Sequence, residues 1–426
     1  MNKNANNELE DDPFGDIDIL KLSFFTWSND TNGIFDFSKK IYMEDSKFIL
    51  GNCYIGRIDN TIYIHKNHSN IRFSDGETLL FFVQLDEPED YQLINLTPAY
   101  QEYNNKNNND LANKMFYVIK TKDVKDYLNF NKDPYYLSEN DIIRFGKVKF
   151  EVDKIYIKAS DIDKEDSDAP KPHYYDINDK SIKENIDSVF TIHIEENIQD
   201  NADNNNQEGI KCYKCKKNDV DKDNPLISLC KCSQKCHFKC LKDELEFDNM
   251  NKISNKGGLN IYYKRFECVT CHYEYPIKFK VKGSDKIFYL ADIDDNIDKN
   301  CSYMILSSIG YMNEQFFCKS VHIIKFDSQS KEIDFGRENY NYIIEKDISI
   351  SREHACFTYD NKKGKILLEN KSKKFGTSVL VQKPIVIKRQ PIKLQFGKTV
   401  VEARLFRVKE DKYKSLLEEF NKINDE

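Results

Sequence analysis

The chain contains no long hydrophobic run. Within its 426 residues, no stretch approaches the roughly 18 apolar residues that a membrane-spanning helix needs, so we predict no membrane span. The N-terminus, MNKNANNELEDDPFGD, lacks the apolar core of a secretory signal. Clustered cysteines without such a signal fit a reducing compartment, where thiolates bind metals and do not pair as disulfides. We therefore expect a cytoplasmic or nuclear protein.

The chain also lacks the surplus of basic charge that is typical of nucleic-acid-binding proteins. Its net charge is −7. Between 161 and 210, fourteen acidic residues against four lysines give a local charge of −10, so the remainder carries about +3. We therefore do not predict nucleic acid as a partner. The low apolar content of the same stretch predicts an acidic linker over 159–210.

Short apolar runs separated by turn residues fill most of the remaining chain. Runs such as LSFFTW, TIYIHK and LLFFVQL have the length and composition of β-strands. We predict a multidomain, mainly β protein in which two β-sandwiches flank a small cross-brace zinc finger. The predicted boundaries are 1–19 for a disordered tail, 20–158 for a first β-rich domain, 159–210 for the linker, 211–282 for the finger, 283–410 for the second sandwich and 411–426 for an amphipathic helix.

Eight of the twelve cysteines lie between Cys212 and Cys271, where the sequence reads CYKC, CKC, HFKC and CVTC. Soft ligands in four close pairs are what two tetrahedral zinc ions require. The predicted ligands of two zinc ions are, in chain order, Cys212, Cys215, Cys230, Cys232, His237, Cys240, Cys268 and Cys271.

The long gap before the fourth pair predicts interleaved zinc sites. In this cross-brace the first and third pairs hold one ion, and the second and fourth pairs hold the other. Cys236 is an alternative to Cys232 as a ligand. Four protein ligands leave no open position on either ion, so we predict structural zincs and no catalytic residue.

The ligand order resembles that of the RING-CH (RING-variant) zinc finger family, which has a Cys-x-Cys second pair and a histidine as its fifth ligand. PLISLCKC, HFKCL and CVTCHYEYPIKF extend the resemblance beyond the ligands. It implies a ubiquitin ligase that recruits a ubiquitin-conjugating enzyme through an apolar residue and a tryptophan. Lys214 and Glu244 stand at those two positions here. The plant homeodomain finger shares the ligand order and, like this chain, has four residues before the histidine.

Three further motifs follow the finger in the chain. They are Gly336-Arg337, Ser351-Arg352-x-His354 and Gly376-Thr377. Their order resembles the forkhead-associated (FHA) domain, a β-sandwich whose loops bind phosphothreonine peptides, over residues 321–408.

The resemblance implies a phosphopeptide site. In it, Ser351 and Arg352 hold the phosphate, Arg337 supports the peptide-facing loop and Thr377 contacts the peptide, while His354 braces the loops. A phosphate dianion is bound by hydroxyl groups, backbone N–H groups and a planar guanidinium, so these residue types suit the role. Phe375 replaces the asparagine that usually grips the peptide backbone.

The closing segments of the two β-rich regions echo each other. DIIRFGKVKFEV and IKLQFGKTVVEARLF both place Phe-Gly-Lys between alternating apolar residues, as the closing hairpin of an FHA domain does. We therefore interpret 20–158 as a diverged FHA-like sandwich. It has Gly56-Arg57 but no following Ser-Arg-x-His, which indicates a scaffold without a phosphate site.

Together these features predict a zinc-binding adaptor that recognises a phosphorylated protein through its FHA domain. The finger would act as a RING-CH-type ubiquitin ligase by recruiting a ubiquitin-conjugating enzyme. Two alternatives stay open. One is a non-enzymatic phospho-dependent scaffold with purely structural zincs, and the other is a plant-homeodomain-like reader of histone tails.

Overall fold

Strands dominate the fold. The structure is a computed structural model, and it describes residues 17–27, 35–37, 42–66, 77–85, 91–95, 114–119, 134–158, 211–219, 221–232, 234–247, 249–255, 257–281, 286–293, 301–309, 319–327, 331–338, 343–344 and 347–422. The predicted linker and all but the last three residues of the predicted tail lie outside these ranges. Among the described residues, no helix has the length and apolar character needed to cross a membrane.

Before the linker, the described residues form ten strands. They are β1 (Ile17–Trp27), β2 (Tyr42–Ile49), β3 (Cys53–Ile58), β4 (Thr61–His65), β5 (Glu77–Leu85), β6 (Tyr91–Asn95), β7 (Phe116–Val118), β8 (Tyr135–Tyr136), β9 (Ile142–Phe145) and β10 (Val148–Tyr156). In strands such as β1 and β10, alternate residues face the core. In β1, for example, Leu20, Leu22 and Phe24 are all fully buried.

The cysteine-rich region combines short strands with one helix. Its elements are β11 (Leu226–Ile227), β12 (Cys236–His237), α1 (Phe238–Glu246), β13 (Met250–Asn255), β14 (Gly258–Tyr263), β15 (Lys278–Lys280) and β16 (Ile287–Tyr289). The helix buries Leu241 and Leu245, which lie four residues apart and therefore on one face.

In the C-terminal region, ten further strands and a helix are formed by the residues that the structure describes. They are β17 (Ser302–Ile309), β18 (Lys319–Phe326), β19 (Glu332–Gly336), β20 (Ile343–Ile344), β21 (Ala355–Asp360), β22 (Lys365–Asn370), β23 (Thr377–Leu380), β24 (Ile385–Val386), β25 (Ile392–Phe396), β26 (Thr399–Val408) and α2 (Glu410–Lys422). Helix α2 buries Leu416 and Phe420 against the main core.

The described strands form one twelve-stranded sheet, two five-stranded sheets and two small two-stranded sheets. The large sheet has the order β13-β14-β18-β17-β10-β9-β23-β7-β25-β26-β1-β2. The five-stranded sheets have the orders β20-β19-β21-β22-β8 and β24-β6-β5-β3-β4. These orders mix strands from both ends of the chain.

Two β-sandwiches can be recognised in these sheets, and they exchange their last three strands. The C-terminal sandwich consists of β17–β23 closed by β8–β10, and the N-terminal sandwich consists of β1–β7 closed by β24–β26. On the two sides of the β23–β7 contact, the large sheet reads β18-β17-β10-β9-β23 and β2-β1-β26-β25-β7, which is the same arrangement twice. The exchange is therefore reciprocal.

This exchange differs from the prediction of two separate sandwiches over 20–158 and 283–410. Strand β1 pairs along its length with β26, from Ile17 opposite Val408 to Thr26 opposite Thr399. Strand β10 pairs in turn with β17. The two closing hairpins carry the same Phe-Gly-Lys pattern, so local sequence specifies a hairpin without specifying which sandwich it enters.

One hydrophobic core runs through both sandwiches, and exchanged phenylalanines lie in each half of it. Phe145 from β9 stacks on Phe335 of the C-terminal sandwich, with 4.2 Å between ring centroids. Phe396 from β25 stacks on Phe81 of the N-terminal sandwich at 4.8 Å. Burying one such side chain stabilises a fold by about 1.5–3 kcal/mol. Core packing therefore stabilises the exchange together with the hydrogen bonds between paired strands.

The cysteine-rich region is packed onto the C-terminal sandwich. Its hairpin β13–β14 extends the large sheet, because β14 pairs with β18 from Gly258 opposite Ile324 to Tyr263 opposite Lys319. A second hydrophobic cluster joins the cysteine-rich region to the outer face of β17 and β18. The cysteine-rich region therefore shares a core with the sheet.

Candidate functional site

The structure brings the eight predicted metal ligands together as two groups. Cys212, Cys215, His237 and Cys240 form one group, and Cys230, Cys232, Cys268 and Cys271 form the other. In each group all four ligand atoms lie within 4.8 Å of one another. The pairs interleave along the chain as in the predicted cross-brace. Each group could hold a metal ion.

His237 is oriented for binding through Nδ1. Its Nε2–H donates to the carbonyl oxygen of Asp219 at 2.7 Å, and its Nδ1 lies 3.2 Å from the sulfur of Cys215. A histidine ligand usually donates its other ring N–H in this way, and the bond fixes both the tautomer and the ring plane. The donor set therefore fits a metal.

The first and fourth ligand pairs form the same tight turn. In each, the residue after the second cysteine has a positive φ, 62° at Lys216 and 54° at His272. Its N–H donates to the carbonyl oxygen of the first cysteine, Cys212 or Cys268, at 3.0 and 2.9 Å respectively. This turn points both sulfurs of a pair to the same side. The ring of His272 is itself exposed and hydrogen-bonded to Glu267, away from both groups.

Backbone N–H groups also favour the thiolate form of these cysteines. Burial opposes ionisation of Cys212, but backbone N–H groups donating to its sulfur outweigh burial and lower its pKa to about 6. The same balance lowers the pKa of Cys268 to about 6. Thiolate, not thiol, is the form that ligates a metal.

Cys232, not its predicted alternative Cys236, belongs to the second group. Cys236 is buried in β12, with its sulfur 3.7 Å from the sulfur of Cys212 in the first group. Burial raises the pKa of Cys236, so it remains a neutral thiol. It packs beside the site without joining either group of four.

Lys214 and Glu244, the two charged residues at the expected enzyme-docking positions, pair with each other. The ammonium of Lys214 lies 2.6 Å from the carboxylate of Glu244. The hydroxyl of Tyr213 donates to the same carboxylate oxygen at 3.1 Å. The place expected to offer apolar groups is therefore occupied by a satisfied ion pair.

His354 holds together the loops that carry the FHA-like motifs. Its ring is fully buried; Nδ1 accepts from the N–H of Ser351 at 2.9 Å, and Nε2–H donates to the carbonyl oxygen of Gly376 at 2.9 Å. Its own carbonyl oxygen accepts from the N–H groups of Lys371 and Ser372. Burial lowers the pKa of His354 to about 4, so the ring is neutral at pH 7.

Ser351 and Arg352 lie where the three loops meet. The hydroxyl of Ser351 is 2.8 Å from that of Ser372, a residue that the motifs did not single out. The Arg352 side chain is 75% exposed and its Nε lies 3.1 Å from a carboxylate oxygen of Glu338. Two backbone bonds, from Arg337 N–H to Ser351 and from Glu338 N–H to Arg352, join the first two loops.

Arg337 and Thr377 have opposite environments. Arg337 is exposed immediately after β19, on the side of the motif loops. Thr377 is fully buried, and its hydroxyl donates to Oδ1 of Asn370 at 3.0 Å. This differs from the peptide contact expected for Thr377, because its side chain faces the interior and holds the loop between Asn370 and Gly376.

Arg57, in the Gly56-Arg57 pair of the N-terminal sandwich, has a different environment from Arg337. Arg57 is buried, and its guanidinium donates to the hydroxyl of Thr399 at 2.7 Å and to the carbonyl oxygen of Phe396 at 3.3 Å. It joins β3 to the exchanged hairpin β25–β26.

Comparison with known proteins gives one match. Residues 333–401 match the family model described as the FHA domain, and no RING-CH family model matches. No curated protein and no solved structure matches the chain. This stretch is therefore similar to FHA domains, a family that takes part in phospho-dependent protein interaction. The match continues into β24 and β25, which close the other sandwich.

Proposed function

We propose that the protein is a phospho-dependent interaction scaffold whose C-terminal sandwich binds a phosphothreonine-containing partner. The observation that carries the proposal is the set of loops joined through His354, which brings the hydroxyl groups of two serines together next to an exposed arginine in the chain. Arg352 supplies a planar, permanently charged donor, and Ser351 and Ser372 supply hydroxyl donors for the remaining phosphate oxygens. The phosphate displaces Glu338 from Arg352.

The test uses an immobilised library of degenerate phosphothreonine peptides and its unphosphorylated counterpart. We expect the full chain to retain phosphopeptides only. Arg352→Ala should weaken binding of the best selected peptide at least thirtyfold, because a charge-assisted bond to a dianion contributes about 2–3 kcal/mol. Lys362→Ala, which removes an exposed cation from the turn after β21, is the matched control and should bind as the wild type does. Retention of both libraries alike would refute the proposal.

We further propose that both cysteine groups bind zinc and that the zincs are structural. Three thiolates with one imidazole, and four thiolates, are the donor sets of structural tetrahedral zinc sites. Metal analysis should find two zinc ions per chain, and Cys232→Ser should lower this to about one because one whole site is lost. Cys236→Ser should keep two. A zinc content that falls with Cys236 and not with Cys232 would break the ligand assignment.

The Lys214–Glu244 pair favours the scaffold over a ubiquitin ligase. An apolar docking residue cannot be supplied by a lysine that is already bonded to a glutamate, and breaking the pair would leave two charges to desolvate. We expect no ubiquitin chains when the zinc-loaded chain is incubated with a panel of conjugating enzymes. Zinc-dependent autoubiquitination that is lost with Cys268→Ser would restore the ligase hypothesis.

A further inference from the structure

The phosphate-binding loop of the C-terminal sandwich rests on the exchanged hairpin of the N-terminal half. Three consecutive residues at the β9–β10 turn make the contacts: Phe145, Gly146 and Lys147. We call them the supporting turn. The ring of Phe145 lies edge-on to the ring of His354, with centroids 5.6 Å apart. The residue that braces the motif loops is thus itself packed against the other half of the chain.

Gly146 approaches the loop more closely than any residue with a side chain could. Its φ is +60°, and a Cβ placed on it would lie 2.5 Å from the carbonyl oxygen of Ser349 and 2.6 Å from its hydroxyl oxygen. A methyl group would therefore have to push the backbone of Ser349 away. Ser349 lies only two residues before Ser351, so this displacement would reach the phosphate-binding hydroxyl.

A hydrogen bond fixes the same contact. The N–H of Lys147 donates to the hydroxyl oxygen of Ser349 at 2.8 Å, and that hydroxyl donates to Oδ1 of Asp347 at 2.6 Å. Ser349 is buried, so water does not readily substitute for these bonds. The supporting turn therefore fixes both the position and the orientation of the loop that contains Ser349.

A second loop of the site is also contacted by the N-terminal half. The N–H of Phe37 donates to the carbonyl oxygen of Lys374 at 2.7 Å. The Phe37 ring lies 3.2 Å from the position that a Cβ on Gly376 would take. Gly376 is the residue whose carbonyl accepts from His354, so Phe37 limits the movement of that loop from the other side.

We propose that the supporting turn is a positioning element for phosphopeptide recognition, so that the binding site is a composite of both halves of the chain. Residues 145–147 touch no phosphate in this arrangement. They hold the loop of Ser351 and Arg352 in the conformation that binds it. The proposal rests on the proposed function, since it concerns the same site.

The test compares two glycines in equivalent turns. Gly146→Ala and Gly397→Ala both place a side chain at a positive φ, 60° and 54°, in the Phe-Gly-Lys turn of a closing hairpin. Strain of the turn itself is therefore matched, and only Gly146 abuts Ser349. Affinity for the phosphothreonine peptide selected by the wild type, melting temperature, and amide hydrogen exchange of residues 349–354 are measured on the full, zinc-loaded chain.

We expect Gly146→Ala to weaken peptide binding at least tenfold and to speed exchange of the Ser351 amide, while Gly397→Ala changes binding less than twofold. Ser349→Ala, which removes the acceptor of the Lys147 N–H and leaves the turn unstrained, should weaken binding threefold or more. Ser349→Ala tests the proposal if Gly146→Ala does not fold. Wild-type affinity in Ser349→Ala, or equal losses in the two glycine variants, would overturn the proposal. A wild-type chain that does not distinguish phosphopeptides would instead overturn the proposed function.

Discussion

The two sandwiches have the same strand order, yet their Gly-Arg pairs have opposite surroundings. In the C-terminal sandwich, β19 ends at Gly336, and Arg337 is exposed beside the motif loops. In the N-terminal sandwich, β3 continues to Ile58, so that Arg57 lies inside the strand and is bonded to Thr399. Strand β3 continues for two residues beyond its glycine, so its arginine lies in the interior, whereas the arginine that follows β19 lies at the surface. The same dipeptide thus leaves an arginine available to a partner in one sandwich and bonds two strands together in the other.

The largest predicted effect concerns the exchanged phenylalanines. Phe145→Ala and Phe396→Ala should each lower the free energy of unfolding by about 3–5 kcal/mol, because each leaves a cavity in the shared core. Urea denaturation followed by the fluorescence of Trp27, the single tryptophan, measures this loss. The two variants should differ in their affinity for the phosphopeptide.

Only Phe145→Ala should weaken phosphopeptide binding when measured well below its melting temperature, because only Phe145 packs against His354. Equal binding losses in both variants would mean that the comparison reflects global stability alone.

The next effect is the pH dependence that His354 confers. Burial holds its pKa at about 4, below the ordinary value near 6.5 for an unfolded chain, so the unfolded state binds a proton first as pH falls. Stability from this group is complete above about pH 6.5 and is lost between that pH and about 4, by roughly 3 kcal/mol in total.

His354→Gln is the matched variant, because its amide can donate and accept but does not titrate. The difference in unfolding free energy between pH 7 and pH 5 should be about 2 kcal/mol smaller in His354→Gln than in the wild type. An identical pH dependence in the two proteins would show that His354 is not held neutral.

A smaller effect separates the two arginines. Arg57→Met should cost about 1–3 kcal/mol of stability, because it leaves the buried hydroxyl of Thr399 with fewer partners, and should leave phosphopeptide affinity unchanged. Arg337→Met should do the reverse, with stability within about 0.5 kcal/mol of the wild type and weaker binding. Thermal unfolding and peptide titration of both variants provide the measurement. A loss of phosphopeptide affinity in Arg57→Met would show that the N-terminal sandwich takes part in recognition, contrary to the prediction.

The smallest predicted effect is a gain in phosphopeptide affinity. Glu338 neutralises Arg352 before the phosphate arrives, with 3.1 Å between the charged groups. An exposed ion pair contributes only about 0.2–1 kcal/mol, so Glu338→Gln should tighten phosphopeptide binding by roughly two- to fivefold at low salt. Glu353→Gln removes a neighbouring exposed carboxylate and is the control. Weaker binding in Glu338→Gln would show that the glutamate orients the guanidinium.

Much of the local structure could be predicted from the sequence because it depends on neighbours in the chain. Alternating apolar residues indicated the strands. The spacing of cysteines predicted the two groups that Cys212 and Cys268 help to form, since paired ligands need only a tight turn between them. The paired segments DIIRFGKVKFEV and IKLQFGKTVVEARLF were interpreted as hairpins, and both are hairpins in the fold.

The remainder depends on contacts between distant residues, for which the sequence carries no local signal. Equivalent hairpins fit either sandwich, so their exchange could not be predicted from pattern. The burial of Thr377 follows from its place opposite Phe145 in the adjoining strand, a residue more than two hundred positions earlier. Likewise, the sequence predicts that charged residues, Lys214 and Glu244, stand at the two docking positions, but not that they pair with each other, because helix α1 brings them together.

The exchange also determines when the N-terminal sandwich can be completed during synthesis. Strand β1 is synthesised long before its neighbour β26. Between residues 158 and 408 about 250 residues must be made, which takes about 12–50 seconds at ordinary elongation rates. During that interval the N-terminal strands have apolar faces and an open edge but no closing hairpin, a state that favours aggregation. We therefore expect the nascent chain to depend on chaperones until β24–β26 emerge and complete the N-terminal sandwich.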